Sequence, residues 1–189
     1  MNDYKKIFND IIYRMIEVLI LYSISKREYT MYSIQKRILD NFAPFTKPSF
    51  GALKPALKRL EKKEYVKTRK MMSDGGKYSV FYEITKSGSD ELKRLLTEDL
   101  SDNPLKFLSN ARIKLACCDC LDTDEKKRIF FAIKTKAMQF KNLAQNILND
   151  EIKQTNFYQK IVLDNTICEY SNFIAIIEGL EKDNARNSK

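Results

Sequence analysis

The stretch KTRKMMSDGGKYSVFYEIT, residues 67–85, constrains this chain more than any other. Asp74-Gly75-Gly76 between two strand-like runs signals a β-hairpin. Its strands are predicted over residues 65–71 and 78–84, around a turn at 73–76. On the return strand Tyr78, Val80, Tyr82 and Ile84 share one face, while Ser79, Phe81 and Glu83 share the other. A single hairpin is not independently stable, so it must pack on helices and leave a polar tip free. That tip is crowded with Lys67, Arg69, Lys70 and Lys77.

Almost everything else reads as helix. Residues 7–25 place Phe8, Ile11, Ile12, Met15, Ile16, Leu19 and Tyr22 at helical spacing, in a stripe wide enough to be buried on more than one side. KREYT breaks the pattern. Thr30 is the predicted N-cap of a second helix with Met31, Ile34, Ile38 and Leu39 on one face. After a connection carrying Pro44 and Pro48, SFGALKPALKRLEKKEYV sets Leu53, Leu57 and Leu60 on one side and Lys54, Lys58, Arg59 and Lys62 on the other. Pro55 lacks an amide donor and clashes with the preceding turn, so it belongs in the first turns or imposes a kink. Thr85 is the predicted cap of a helix following the hairpin, and SDNP, residues 101–104, marks a boundary.

The second half, residues 101–189, is predicted helical throughout. Asp122 with Glu125 three residues on resembles a capping box, ahead of Ile129, Ile133, Phe140, Ala144 and Ile147 on one side. The last helix carries Leu163, Ile167, Tyr170, Ile174 and Ile177, whose alternating steps of four and three make a coiled-coil-like seam. That seam suits dimerisation, or the core of a three-helix bundle.

Charge decides between functional classes. Residues 47–77 hold ten basic side chains against three acidic, which is seven of the net +9, while residues 101–189 hold fourteen against twelve. The charge is a patch, and it fits a polyanion. With no histidine, Ser-His-Asp and Cys-His catalysis, HExxH metal sites and histidine pH switches are excluded. No GxxxxGK[ST] or GxGxxG occurs, so an enzyme is disfavoured and no cofactor or metal is expected. MNDYKKIFND lacks a signal-peptide core, and the most apolar run contains Glu17 and is too short to span a bilayer; a cytoplasmic location follows. Cys117, Cys118, Cys120 and Cys168 are read as reduced thiols, with a redox-sensing role for the first three as the competing reading.

Helix, helix, basic amphipathic helix, hairpin, helix is the order of a winged helix-turn-helix. The fold is therefore mainly α: a winged helix-turn-helix with one β-hairpin wing over residues 1–100, and a helical dimerisation region over 101–189. The third helix would enter the major groove of double-stranded DNA through Lys47, Ser49, Lys54, Lys58 and Lys62. The wing would bring Arg69, Lys70 and Lys77 to phosphates, with Gly75 and Gly76 permitting the turn. An interaction module whose basic patch binds an acidic protein is the alternative.

KPSFGALKPALKRLEKKEYVKTRK followed by DGGKYSVFYEITKSGSDEL resembles the PadR family of bacterial transcriptional regulators. The resemblance covers about residues 10–98 and rests on Pro48, Ser49, Gly51, Leu53, Pro55, Leu57, Leu60 and Glu61, then on Tyr82, Thr85 and Gly88. It implies a homodimeric regulator, usually a repressor, on a pseudo-palindromic operator, released by a small-molecule effector such as a phenolic acid or a drug. The family has aromatics at the positions of Phe50 and Lys54, and the second is lysine here. With no tryptophan, an indole platform for flat drugs is absent.

Overall fold

A computed structural model describes residues 14–72, 76, 78–150 and 155–186. Phe8, Ile11, Ile12, Gly75 and Lys77, singled out in the sequence, lie outside the described residues. The chain divides into two compact units. One comprises residues 1–98 with 112–120, the other residues 99–111 with 121–189.

The first unit opens with helix α1, residues 14–23. Ile16, Val18, Leu19, Ile20 and Leu21 are all buried, as a stripe covering more than one side demands. Strand β1 (Tyr29–Thr30) leads directly into α2 (Met31–Phe42), where Thr30 is the N-cap and its side chain accepts from the Ser33 amide. Then come α3 (Phe50–Lys62), β2 (Val66–Met72), β3 (Tyr78–Ile84) and α4 (Lys86–Thr97).

The sheet has three strands in the order β1-β3-β2, all antiparallel. The sequence predicts a lone hairpin, and β1 corrects it. Tyr29 pairs with Tyr82 and Thr30 with Phe81, so the otherwise free edge of β3 is partly covered. Two residues are too few to show a strand's alternation, and Thr30 also carries the cap signal of α2, which hides the strand.

The link from α3 to the wing is a Schellman motif. The Tyr65 amide donates to the Leu60 carbonyl and the Glu64 amide to that of Glu61, each at 2.9 Å. Glu64 takes the left-handed conformation this requires, with φ of 59°. The turn is then fastened to α4. Thr85 Oγ1 donates to the Glu64 carbonyl at 2.8 Å and accepts from the Gly88 amide at 3.0 Å, while the Thr85 amide donates to the Tyr65 carbonyl. A Cβ on Gly88 would lie 2.0 Å from the Tyr65 carbonyl oxygen, so α4 can sit on this backbone only with glycine there. The Thr85-to-Gly88 spacing is thus a physical clamp between helix and turn.

In the second unit, α6 (Thr123–Leu148) and α7 (Phe157–Arg186) form a long helical pair. The capping box at Asp122 and Glu125 forms as expected. Phe107, on α5 (Pro104–Ala116), is fully buried against Phe140, Tyr170 and Phe173, with ring centroids 5.3, 6.3 and 6.3 Å away. Lys134 and Glu181 pair across α6 and α7.

Candidate nucleic-acid interface

The third helix is divided cleanly. Leu53, Ala56, Leu57 and Leu60 are buried, while Lys54, Lys58 and Lys62 are exposed. Phe50, Lys54 and Lys58 follow one another at steps of four and form a single outward ridge. Pro55 lies inside α3 on the exposed side, where its missing amide leaves the Gly51 carbonyl without the usual helical partner. Lys47 and Ser49 are exposed just ahead of the helix. Ser49 is the N-cap, yet its hydroxyl makes no capping bond. Gln35 of α2 donates to the Pro48 carbonyl at 3.2 Å and so fixes the approach to α3.

Arg59 is set apart from the lysines. Its Nε donates at 2.8 Å to Oε1 of Glu17, a carboxylate only 6% exposed in the middle of α1. Here charge opposes charge inside the unit, and Arg59 tethers the helix to the core.

The wing separates in the same way. Lys70 is exposed on β2, and Gly76 has a φ of +73°, the left-handed conformation expected of a tight turn. Arg69, expected to reach DNA, pairs with both carboxylate oxygens of Glu28, in the connection between α1 and β1. Lys67 pairs across the strands with Glu83 at 3.2 Å. A cavity of about 510 Å³ opens beside this connection, lined by Lys26, Arg27, Glu28, Arg69 and Glu83 among others. Close by, Tyr29 is faced by two guanidinium groups, Arg27 at 4.8 Å and Arg37 at 4.7 Å from its ring centre. Neither the Glu28–Arg69 nor the Glu17–Arg59 partnership is legible in the sequence, because their members are 41 and 42 residues apart.

Of the proposed dimer seam on α7, Tyr170 and Ile177 are buried within the single chain, with the Tyr170 ring stacked 5.7 Å from Phe140. Leu163, Ile167 and Ile174 are half-buried. A different set of α7 side chains is exposed: Phe157, Tyr158, Ile161, Val162 and Ile176. Beside them Ile147, Tyr158, Val162 and Leu163 help line an apolar depression of about 470 Å³.

The clustered cysteines are placed for packing. Cys117 and Cys118 are buried, and Cys118 donates to the Lys114 carbonyl. Burial pushes the Cys117 thiol far up, and burial with the nearby Asp119 charge raises Cys120. Both are held as thiols, the unreactive form. Among the described residues no group of three or more cysteines and carboxylates is arranged to hold a metal, and no helix is long and apolar enough to cross a membrane.

Residues 20–94 match the sequence model of the transcriptional regulator PadR-like family. No curated protein matches the chain. Among solved structures, it is similar to Bacillus subtilis PadR in complex with operator DNA, at 18% identity and a TM-score of 0.44, covering 87% of this chain and 97% of that one. It is also similar to a Streptococcus mutans protein at 23% identity, TM-score 0.41, over 86% of this chain and 96% of that one. The PadR-like regulator BC1756 from Bacillus cereus is similar at 16% identity, TM-score 0.40, over 91% and 99%. Residues 20–94, the part of the chain that matches the transcriptional regulator PadR-like family, hold the sheet, α2, α3 and most of α4.

Proposed function

We propose that this chain is a sequence-specific DNA-binding regulator of transcription, a homodimeric repressor whose residues 1–100 bind an operator and whose residues 101–189 dimerise. The observation that carries the reading is the division of α3, whose leucines are anchored in the core while Lys54, Lys58 and Lys62 project outward beside a wing bearing Lys70. A protein that had only to stay soluble would have no reason to gather seven of nine net charges there. Lys47, Ser49, Lys54, Lys58 and Lys62 take the major groove, and Lys70 and Lys77 take phosphate.

The exposed apolar side chains of α7 support pairing with a second copy, with Leu163, Ile167 and Ile174 of the seam beside them. A two-fold dimer places two recognition helices about one DNA turn apart, so the operator is a pseudo-palindrome with half-sites about 10 bp apart. A small-molecule effector that binds one dimer geometry better than the other releases it.

Competition tests the reading. The purified chain is bound to labelled duplex DNA and challenged with unlabelled duplex or with poly-glutamate of equal charge. Displacement by duplex at far lower concentration supports a DNA regulator. Equal displacement by both would transfer the basic patch to an acidic protein partner.

A further inference from the structure

The rings of Tyr32 and Phe50 stack on the outside of the first unit, with centroids 6.3 Å apart and planes inclined by 18°. Tyr32 is 68% exposed and Phe50 40%. Tyr32 lies at the start of α2 and Phe50 is the first residue of α3, so the pair sits where the N-termini of both helices meet the surface. Two large apolar rings left in water side by side are costly unless something covers them.

The surroundings say what covers them. Phe50 heads the ridge that continues through Lys54 and Lys58, Lys47 is exposed just before it, and Lys36 is exposed one turn beyond Tyr32. An apolar protein surface would have to bury these lysines with the rings. A polyanion with apolar points on its surface would satisfy both. The major groove of duplex DNA is such a surface: phosphates line it, and the thymine C5-methyl is its apolar group. The N-terminal residues of a recognition helix are those that reach base edges.

We propose that the Tyr32–Phe50 pair is a specificity element that covers a thymine methyl group in each operator half-site. Phe50 makes the contact, and Tyr32, stacked against it, holds the ring in place. The lysines of the ridge give affinity without sequence preference, and the rings add discrimination. This inference rests on the DNA-binding reading above.

The test begins with the full-length chain and a pool of random duplexes, from which bound sites are selected. Each thymine of the selected site is then replaced in turn by deoxyuridine, which removes only the methyl group. Affinities are measured for the wild-type chain and for Phe50→Ala, Phe50→Leu and Tyr32→Ala. The expected result is one position per half-site where deoxyuridine weakens wild-type binding about fourfold, the effect of one buried methyl-sized group. Phe50→Ala loses that sensitivity, Phe50→Leu keeps most of it, and Tyr32→Ala blunts it. Thermal melts that match wild type show that these exposed substitutions leave the fold intact. Selection of a clear site at which no deoxyuridine matters, or a penalty that survives Phe50→Ala, overturns the assignment and leaves the DNA-binding reading standing. Failure to select any site overturns that reading, and the inference with it.

Discussion

Arg59 on α3 reaches back to Glu17 of α1, Nε to Oε1 at 2.8 Å. The contact places a carboxylate in the core with a cation beside it, and fixes the rotation of α3 about its axis. Lys58, just before Arg59, and Lys62, three residues after it, face outward. One partly buried ion pair therefore helps to decide which side of α3 is offered to a partner.

Removing the arginine leaves Glu17 without that partner, and hydrogen bonds to charged groups contribute about 1.5–3 kcal/mol. Arg59→Ala lowers unfolding stability by about 2 kcal/mol in urea denaturation. Glu17→Gln, which keeps an acceptor and sheds the charge, costs less. Equal stability of Arg59→Ala and wild type would show the pair to be incidental.

Gly88 gives the sharpest steric prediction. A Cβ there would stand 2.0 Å from the Tyr65 carbonyl oxygen and 2.9 Å from its carbon, and both are backbone atoms that cannot turn aside. Gly88→Ala forces α4 off the α3–β2 turn and costs about 3 kcal/mol. Gly179, with open space around its would-be Cβ, is the control: Gly179→Ala stabilises α7 by about 1 kcal/mol. Parallel thermal melts compare the two.

On the proposed DNA-binding reading, Glu28 would compete with DNA for Arg69. The carboxylate holds the guanidinium through both oxygens, and Arg69 is still more than half exposed, so the pair is weak and easily exchanged. Glu28→Gln frees the cation. DNA affinity rises about twofold to fivefold, and the slope of log K against log salt steepens by about 0.9, one further phosphate contact. Arg69→Ala in the Glu28→Gln background removes both gains. Unchanged slopes would mean that Arg69 only positions the wing.

Stability is flat from about pH 6 to 8, because the chain has no histidine and the raised thiols titrate above that range. It falls on acidification. The hydrogen bond from Arg94 holds Glu91 below the usual carboxylate value despite partial burial. Burial pushes Asp119 up, but bonds from Lys26 and Tyr22 outweigh it and leave it lowered. Carboxylates with depressed folded values contribute stability above their unfolded pKa of about 4, and lose it as pH falls through the folded value. The Glu91→Gln, Asp119→Asn double variant flattens that acid limb in denaturation curves taken from neutral pH downward.

Much of the fold is legible in the sequence because its determinants are local. Thr30, Thr85 and Asp122 announce their caps within three residues, the leucines of α3 announce its buried side, and Asp-Gly-Gly announces the hairpin. What escapes notice acts over distance. β1 is too short to show a period, the carboxylates that hold Arg59 and Arg69 are contributed by distant segments, and Tyr32 meets Phe50 only when two helix ends come together. On α7 the a/d spacing marks apolar positions without saying what they face. Tyr170 and Ile177 are buried inside their own chain, while Ile161, Val162 and Ile176 are exposed. Cationic residues look equivalent as letters, and only the folded chain shows which already have a partner.

On the proposed reading, α3 and the wing both bind DNA through its charge and read its sequence. Fluorescence anisotropy of the full chain on DNA flanking its own gene and on scrambled DNA, across a salt series, tests it most directly. The expected result is a slope near −0.9 for each phosphate contact on both duplexes, and at least about a thousandfold preference for the flanking DNA. Lys58→Ala weakens binding. Weak binding that is equal on both duplexes and untouched by Lys58→Ala would contradict it.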